Sequence, residues 1–335
     1  MIDLRSDTLT KPTAGMRAAM VAADVGDEQY LEDPTTNELQ LRMAELLGHE
    51  AALFLPTATM ANQSALRAQT KPGSVLLAEE RTHILVYEWG GPAIHSGLIM
   101  RGVTADAGRV TPEHVAAVMD PDLGPGGVVV LENTHRSSGG TVWPLDEYRA
   151  VVEAARGRGA AVHLDGARLF NAAVAAGRPP SDWAQLADSV TICFSKGLGC
   201  PMGAVLAGSA ALVERAWESK YLLGGALRQS GVLAAAALYA LDHHVDRLAD
   251  DHARAKRLAA GLRVPGVSVI EPDTNIVIAT LAAPLDVAAV LAALEAKGVR
   301  MVGFGTGRIR AICHLDVDDA GVDCAIATFR DAVRG

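Results

Sequence analysis

The chain has 335 residues, half of them hydrophobic, a formal net charge of −9 and four cysteines. That length exceeds a usual single core and predicts a large domain with a smaller one. The negative charge argues against nucleic acid or an anionic membrane as the main partner, and Cys193, Cys200, Cys313 and Cys324 are too scattered for a disulfide framework or a zinc site. Reduced cysteines place the chain in the cytoplasm. Met1-Ile2-Asp3-Leu4-Arg5 does not read as a signal peptide, because Asp3 and Arg5 interrupt any apolar core. The longest apolar run, Gly231 to Leu241, is about 11 residues against the roughly 20 of a membrane span.

The first thirty residues read as an irregular polar arm, with Arg5-Ser6-Asp7-Thr8 offering donors and acceptors and little to bury. A helix is predicted from Asp33-Pro34-Thr35, with Thr35 and Glu38 spaced as a capping box, Gly48 as its end, and Leu39, Met43, Leu46 and Leu47 facing inward. Ala51 to Leu55 is a strand. The small-residue turn Pro56-Thr57-Ala58-Thr59 follows it into a helix running to about Gln69, and a helix N-terminus of this kind suits either ordinary capping or a phosphate.

Val75 to Ala78 is the next strand, leading to Arg81-Thr82-His83 and then to a segment with Tyr87, Trp89, Gly90 and Gly91. Thr111-Pro112 starts a helix. Val128 to Leu131 is a near-continuous apolar strand ending in Glu132-Asn133-Thr134-His135. A helix over Leu145 to Gly157, a strand ending at Asp165, a helix from Arg168 to Ala176, and strands ending at Phe194 and Ala207 follow. This alternation predicts an α/β fold whose mostly parallel sheet is covered by helices on both faces. After a helix over Ser209 to Lys220 and a mostly helical stretch from Gln229 to Leu262, the pattern from Val267 to Val333 is strand, strand, helix, strand, strand, helix. That is a smaller α+β C-terminal domain, with the boundary near His244, giving domains 1–244 and 245–335. Gly303-Phe304-Gly305-Thr306-Gly307 is not a dinucleotide fingerprint, since a strand rather than a helix follows it; a glycine-rich hairpin is predicted.

The chemistry concentrates at two strand ends. Val190 to Phe194 stops on Ser195-Lys196-Gly197, where a lysine stands beside glycines that let another molecule approach the backbone. One strand–helix–strand unit earlier lies Asp165. An aspartate to hold a pyridine nitrogen protonated and a lysine to bind an aldehyde are the pair that pyridoxal phosphate needs.

Together the motifs resemble one family. Asp3-Leu4-Arg5-Ser6-Asp7-Thr8, Thr59-Met60-Ala61-Asn62, Arg81-Thr82-His83, Leu131-Glu132-Asn133-Thr134-His135 and His163-Leu164-Asp165-Gly166-Ala167-Arg168 match in order. So do Phe194-Ser195-Lys196-Gly197-Leu198-Gly199, Leu227-Arg228-Gln229 and His314-Leu315-Asp316-Val317. The chain resembles the low-specificity L-threonine aldolases, pyridoxal 5'-phosphate enzymes of the aspartate-aminotransferase-like fold, over nearly its whole length.

The resemblance implies Lys196 as the Schiff-base lysine, Asp165 as the partner of the pyridine nitrogen, and His83 over the cofactor ring as first candidate for the base. It implies Thr57, Ala58 and Thr59 around the phosphate, Ser6, Arg168 and Arg310 on the substrate carboxylate, and Arg228 reaching the phosphate of a neighbouring subunit in a homodimer or homotetramer. The implied reaction is retro-aldol cleavage of L-threonine, L-allo-threonine and related β-hydroxy-α-amino acids to glycine and an aldehyde, with no metal. Another lyase on the same cofactor, eliminating a β-substituent, shares the Asp–Lys core and remains the alternative, followed by a non-catalytic cofactor-binding protein. Three positions depart from the family. Ala58 replaces a glycine, which would cost roughly 1–2 kcal/mol if the backbone there were left-handed. The stretch Pro121 to Gly127 lacks a second histidine, and Tyr221, with Lys220 beside it, stands where some members carry a lysine.

Overall fold

The computed structural model describes residues 1–119 and 126–334. Its centre is a seven-stranded sheet built from β2 (Ala51–Leu55), β3 (Val75–Glu79), β4 (Ile99–Val103), β5 (Gly127–Glu132), β6 (Ala160–Gly166), β7 (Ser189–Cys193) and β8 (Ala204–Gly208), β1 being the short N-terminal strand Ile2–Asp3. The order is β2-β8-β7-β6-β5-β3-β4. All pairings from β7 to β4 are parallel, and β8 is antiparallel to both of its neighbours, so it alone runs against the rest. β7 and β8 are buried at every position, as expected of strands covered on both faces.

Because six strands point the same way, their C-terminal ends lie along one edge, where open α/β sheets collect their ligand-binding groups. Thr57 follows β2, His83 follows β3, Glu132 ends β5, Asp165 lies near the end of β6 and Lys196 follows β7. Sequence position alone therefore brings these residues to one rim.

The C-terminal part forms a second sheet, order β12-β13-β10-β9, from β9 (Val267–Val269), β10 (Ile276–Leu281), β12 (Val302–Gly303) and β13 (Arg308–Ile312), with every pairing antiparallel. The glycine-rich turn between β12 and β13 is the predicted hairpin, with Gly305 and Gly307 at positive φ.

The N-terminal arm differs from the expected solvated segment. β1 pairs in parallel with β11 (Val299–Arg300), Ile2 opposite Val299, and Leu4 is fully buried in the C-terminal apolar cluster. Ile312 donates from its amide to the Leu4 carbonyl at 2.8 Å. A two-residue strand leaves no periodicity to detect, and its partner lies at the far end of the chain. The helix Pro34–Leu47 also begins differently: Asp33 caps it by accepting from the Thr36 amide, while Thr35 donates its hydroxyl to the Asp24 carbonyl. Leu46, expected inside, is exposed. Among the described residues, no helix is long and apolar enough to cross a membrane.

Candidate active site at the sheet edge

Asp165 is buried, and both of its oxygens are held: Oδ1 accepts from the Ala167 amide at 3.1 Å and Oδ2 from the Asn62 side-chain amide at 3.0 Å. Asn62 projects from the helix Ala58–Gln69 and also donates to Glu88 Oε1 at 2.8 Å, so one amide bridges two carboxylates. Its oxygen faces His163 Nε2 at 3.0 Å, and His163 Nδ1 faces the Ser189 hydroxyl at 2.7 Å. Burial pushes His163 down to about 4. The neutral ring therefore donates from Nε2 to Asn62 and accepts from Ser189.

His83 joins the same network through Nδ1, 2.9 Å from Glu88 Oε1. Its backbone amide donates to Glu132 Oε2 at 2.6 Å, and its ring stacks on Tyr87 with centroids 5.6 Å apart. A nitrogen of His83 and one oxygen each of Glu88 and Asp165 lie within 4.8 Å of one another. Glu88 and Asn62 are thus the link between His83 and Asp165. Glu88 carries no local signal in the sequence, sitting between exposed Tyr87 and exposed Trp89.

Lys196 is half-buried just past β7. Among the described residues it makes no salt bridge, in contrast to Lys220. Thr10 donates its hydroxyl to the Lys196 carbonyl at 2.8 Å, which draws the N-terminal arm across this strand end. The neighbouring Asp7 is fully buried and accepts from Arg168 Nε at 2.7 Å and Nη2 at 2.6 Å, with Asn275 donating at 3.3 Å. Burial alone would raise the Asp7 carboxyl, but the charge and fork of Arg168, with the charge of Lys196, hold it well below the usual carboxylate range. Two of the three nitrogens of Arg168 are therefore committed to Asp7, which leaves Nη1 for any other anion. The implied role of Arg168 on a substrate carboxylate narrows accordingly.

Arg310 lies on β13 opposite Ile278, is buried, and donates from Nη2 to the Arg5 carbonyl at 3.1 Å. Burial, reinforced by Arg136 and Arg168 nearby, pushes it down to about 10. Its Nε is buried without a partner. Ser6 is half-buried and caps the turn Asp7–Leu9, its oxygen accepting from the Thr8 amide at 3.2 Å.

At the end of β2, Thr57 caps the helix Ala58–Gln69 by accepting from the Met60 amide at 3.1 Å. The amides of Ala58 and Thr59, in the first turn, have no acceptor inside the helix. Ala58 is its first residue and is not among the residues with positive φ. No left-handed conformation is required there, and alanine in place of glycine costs nothing on that account. Lys220 is fully buried with Nζ 2.7 Å from Glu28, and the Tyr221 hydroxyl donates to Gln29 at 2.6 Å. Arg228 points outward, mostly exposed, with Nε 3.6 Å from Asp27. The stretch where a second histidine is missing lies largely outside the described residues.

The profile of the beta-eliminating lyase family matches residues 3–284. The chain belongs to that family. Within it, the sequence is 40% identical over 321 residues to the low specificity L-threonine aldolase of Escherichia coli, covering 95% of each chain. It is 38% identical to low-specificity L-threonine aldolase 1 of Arabidopsis thaliana, covering 99% of this chain and 96% of the relative. A solved structure described as a putative aromatic amino acid beta-eliminating lyase/threonine aldolase, from an Exiguobacterium species, superposes with a TM-score of 0.82 at 28% identity, covering 96% of this chain and 95% of that one. The profile ends before β12 and β13, whereas the two relatives and the solved structure match nearly the whole length of this beta-eliminating lyase family member.

Proposed function

We propose that the chain is a pyridoxal-phosphate-dependent carbon–carbon lyase that cleaves L-threonine, L-allo-threonine and related β-hydroxy-α-amino acids to glycine and an aldehyde. The observation that carries this reading is the pairing of Asp165 with His83 through Asn62 and Glu88, one strand away from Lys196. Its residues fit the cofactor. Lys196 has no acidic partner among the described residues, Asp165 is a buried carboxylate fixed by two donors, and the amides of Ala58 and Thr59 are free for a phosphate. When bound, pyridoxal phosphate supplies an electron sink for the pair released from the Cα–Cβ bond.

Asp165 would hold a proton at the pyridine nitrogen, and Lys196 Nζ would be the amine that binds the aldehyde carbon. A neutral His83 that donates from Nδ1 to Glu88 leaves Nε2 as a proton acceptor, the state needed to take the proton of the substrate's β-hydroxyl. Ser6, Arg310 and the remaining Nη1 of Arg168 bind the α-carboxylate. Fixing that group fixes which bond at Cα lines up with the electron sink.

The test is a product analysis. With L-threonine or L-allo-threonine, glycine and acetaldehyde are expected in equal amounts, and His83→Ala slows their release roughly 10²–10⁴-fold. If 2-oxobutanoate and ammonia form instead and glycine is absent, the chain is an eliminating lyase.

The outward position of Arg228 supports a role in a neighbour's site and hence a homodimer or homotetramer. Mixing Lys196→Ala with Arg228→Ala and reassembling the subunits is expected to restore part of the activity in hybrid sites. Continued inactivity despite subunit exchange would remove Arg228 from the shared site. We further infer a division into 1–244 and 245–335, supported by separate apolar clusters around the two sheets, although Leu4 packs with the second and Leu248 with the first. A cytoplasmic location accords with four cysteines free of disulfides.

A further inference from the structure

Three arginines surround one phenylalanine beside this site. The guanidinium carbons of Arg136, Arg308 and Arg310 lie 5.9, 5.4 and 5.2 Å from the ring centroid of Phe304, on the hairpin turn between β12 and β13. Among the described residues none of the three forms a salt bridge. Arg136 Nε and Nη2 and Arg310 Nε are shielded from solvent and have no hydrogen-bond partner. Leaving charged donors desolvated and unpaired is costly, so the arrangement favours an anion.

The acids within reach are already engaged. Asp7 holds Arg168. Glu88 serves Asn62, Gln63 and His83. Glu132 accepts from the backbone amides of His83 at 2.6 Å and of Arg136 at 2.8 Å. That shared carboxylate pins Arg136 next to His83, and both side chains pack on Tyr87, with the Arg136 guanidinium carbon 4.0 Å from its ring centroid. Arg136 therefore lies between the group assigned to the β-hydroxyl and the group assigned to the α-carboxylate. A single carboxylate on Arg310 leaves Arg136 unanswered.

We propose that Arg136, supported by Arg308, is a specificity-determining residue that receives a second anionic group carried on Cβ, so that the site takes β-hydroxy-α-amino dicarboxylic acids. This rests on the retro-aldol reading. For 3-hydroxyaspartate, the Cα–Cβ bond breaks, the hydroxyl proton leaves as Cβ–O becomes a carbonyl, and the electron pair on Cα takes up a proton. Glycine and glyoxylate result, with no net oxidation or reduction. The guanidinium of Arg136 meets the Cβ carboxylate in the planar, two-bond manner that lysine does not reproduce.

Two measurements on the holoenzyme test it. In calorimetric titration, L-aspartate, which has the second carboxylate and no β-hydroxyl, is expected to bind at least tenfold more tightly than L-alanine. Arg136→Gln is expected to erase that advantage. In turnover, Arg136→Gln is expected to lower the ratio of kcat/KM for threo-3-hydroxyaspartate to that for L-threonine by about tenfold to a hundredfold, with Arg136→Lys in between. An aspartate advantage that survives Arg136→Gln, equal binding of aspartate and alanine, or an equal loss on both substrates overturns the proposal. Equal loss would mean that Arg136 holds the α-carboxylate or a partner subunit's acid. Failure of the retro-aldol reading registers separately, as absence of glycine from L-threonine while the aspartate preference persists.

Discussion

Replacing Lys196 with alanine is expected to abolish the yellow colour of the purified protein and to cut turnover by roughly 10³-fold or more, as loss of a nucleophile does. Borohydride treatment of the unaltered protein followed by peptide mapping should find the pyridoxyl group on Lys196. The rival is Lys220. Burial lowers its pKa, partly opposed by Glu28, and a depressed pKa is a mark of reactive lysines. Yet Lys220 is fully buried and its amine lies 2.7 Å from Glu28, whose other contacts are the Leu227 amide and the Ser230 hydroxyl. An incoming aldehyde cannot reach it without dismantling that cluster. Lys196 is half-buried and forms no salt bridge among the described residues. A pyridoxyl group mapped to Lys220 would overturn the assignment.

The second large effect is on stability. Asp7→Ala leaves Arg168 buried with its fork unanswered, and breaking a buried pair from one side costs about 3–5 kcal/mol. The urea midpoint should fall accordingly, with reduced cofactor retention, because Asp7 also faces Lys196 and the arm beyond it covers that strand end. The pH dependence follows from the depressed carboxyl. The unfolded Asp7 titrates near the usual value of about 4, so the pair's contribution is complete above that pH and declines as the pH falls toward the folded value. Denaturation curves for Asp7→Ala and the unaltered protein should therefore stay almost as far apart at about pH 4 as at about pH 7, and draw together only toward about pH 2. A gap as wide at about pH 2 as at neutral pH would show that Asp7 stabilises through packing rather than charge.

What was legible in the sequence were features whose cause is local. Apolar runs ending in Asp165 and before Lys196 identified two adjacent parallel strands, and Thr111-Pro112 and Ser209 identified helix starts, because period and cap chemistry act over a few residues. The failures have a common origin in distance along the chain. Asp33 rather than Thr35 caps its helix because Asp33 also accepts from Gly26 and Gly231, contacts that no local window contains. Glu88, Asn62 and His163 become one network only when three separate elements meet at the sheet edge. Arg168 reads as a free carboxylate receptor until the fold brings Asp7 against its fork. The family resemblance supplied Lys196, Asp165 and His83 as a set, but Arg136, with nothing in its surroundings to single it out, required the side-chain arrangement around Phe304.

The parallel pairing of Ile2 with Val299 has a consequence for biosynthesis. Leu4 can be buried only after β11 and β13 have been made, some three hundred residues further along the chain. Closing so long a loop is slow relative to local assembly. The segment that crosses the strand end at Lys196 is thus anchored by contacts that form late relative to the large sheet it covers.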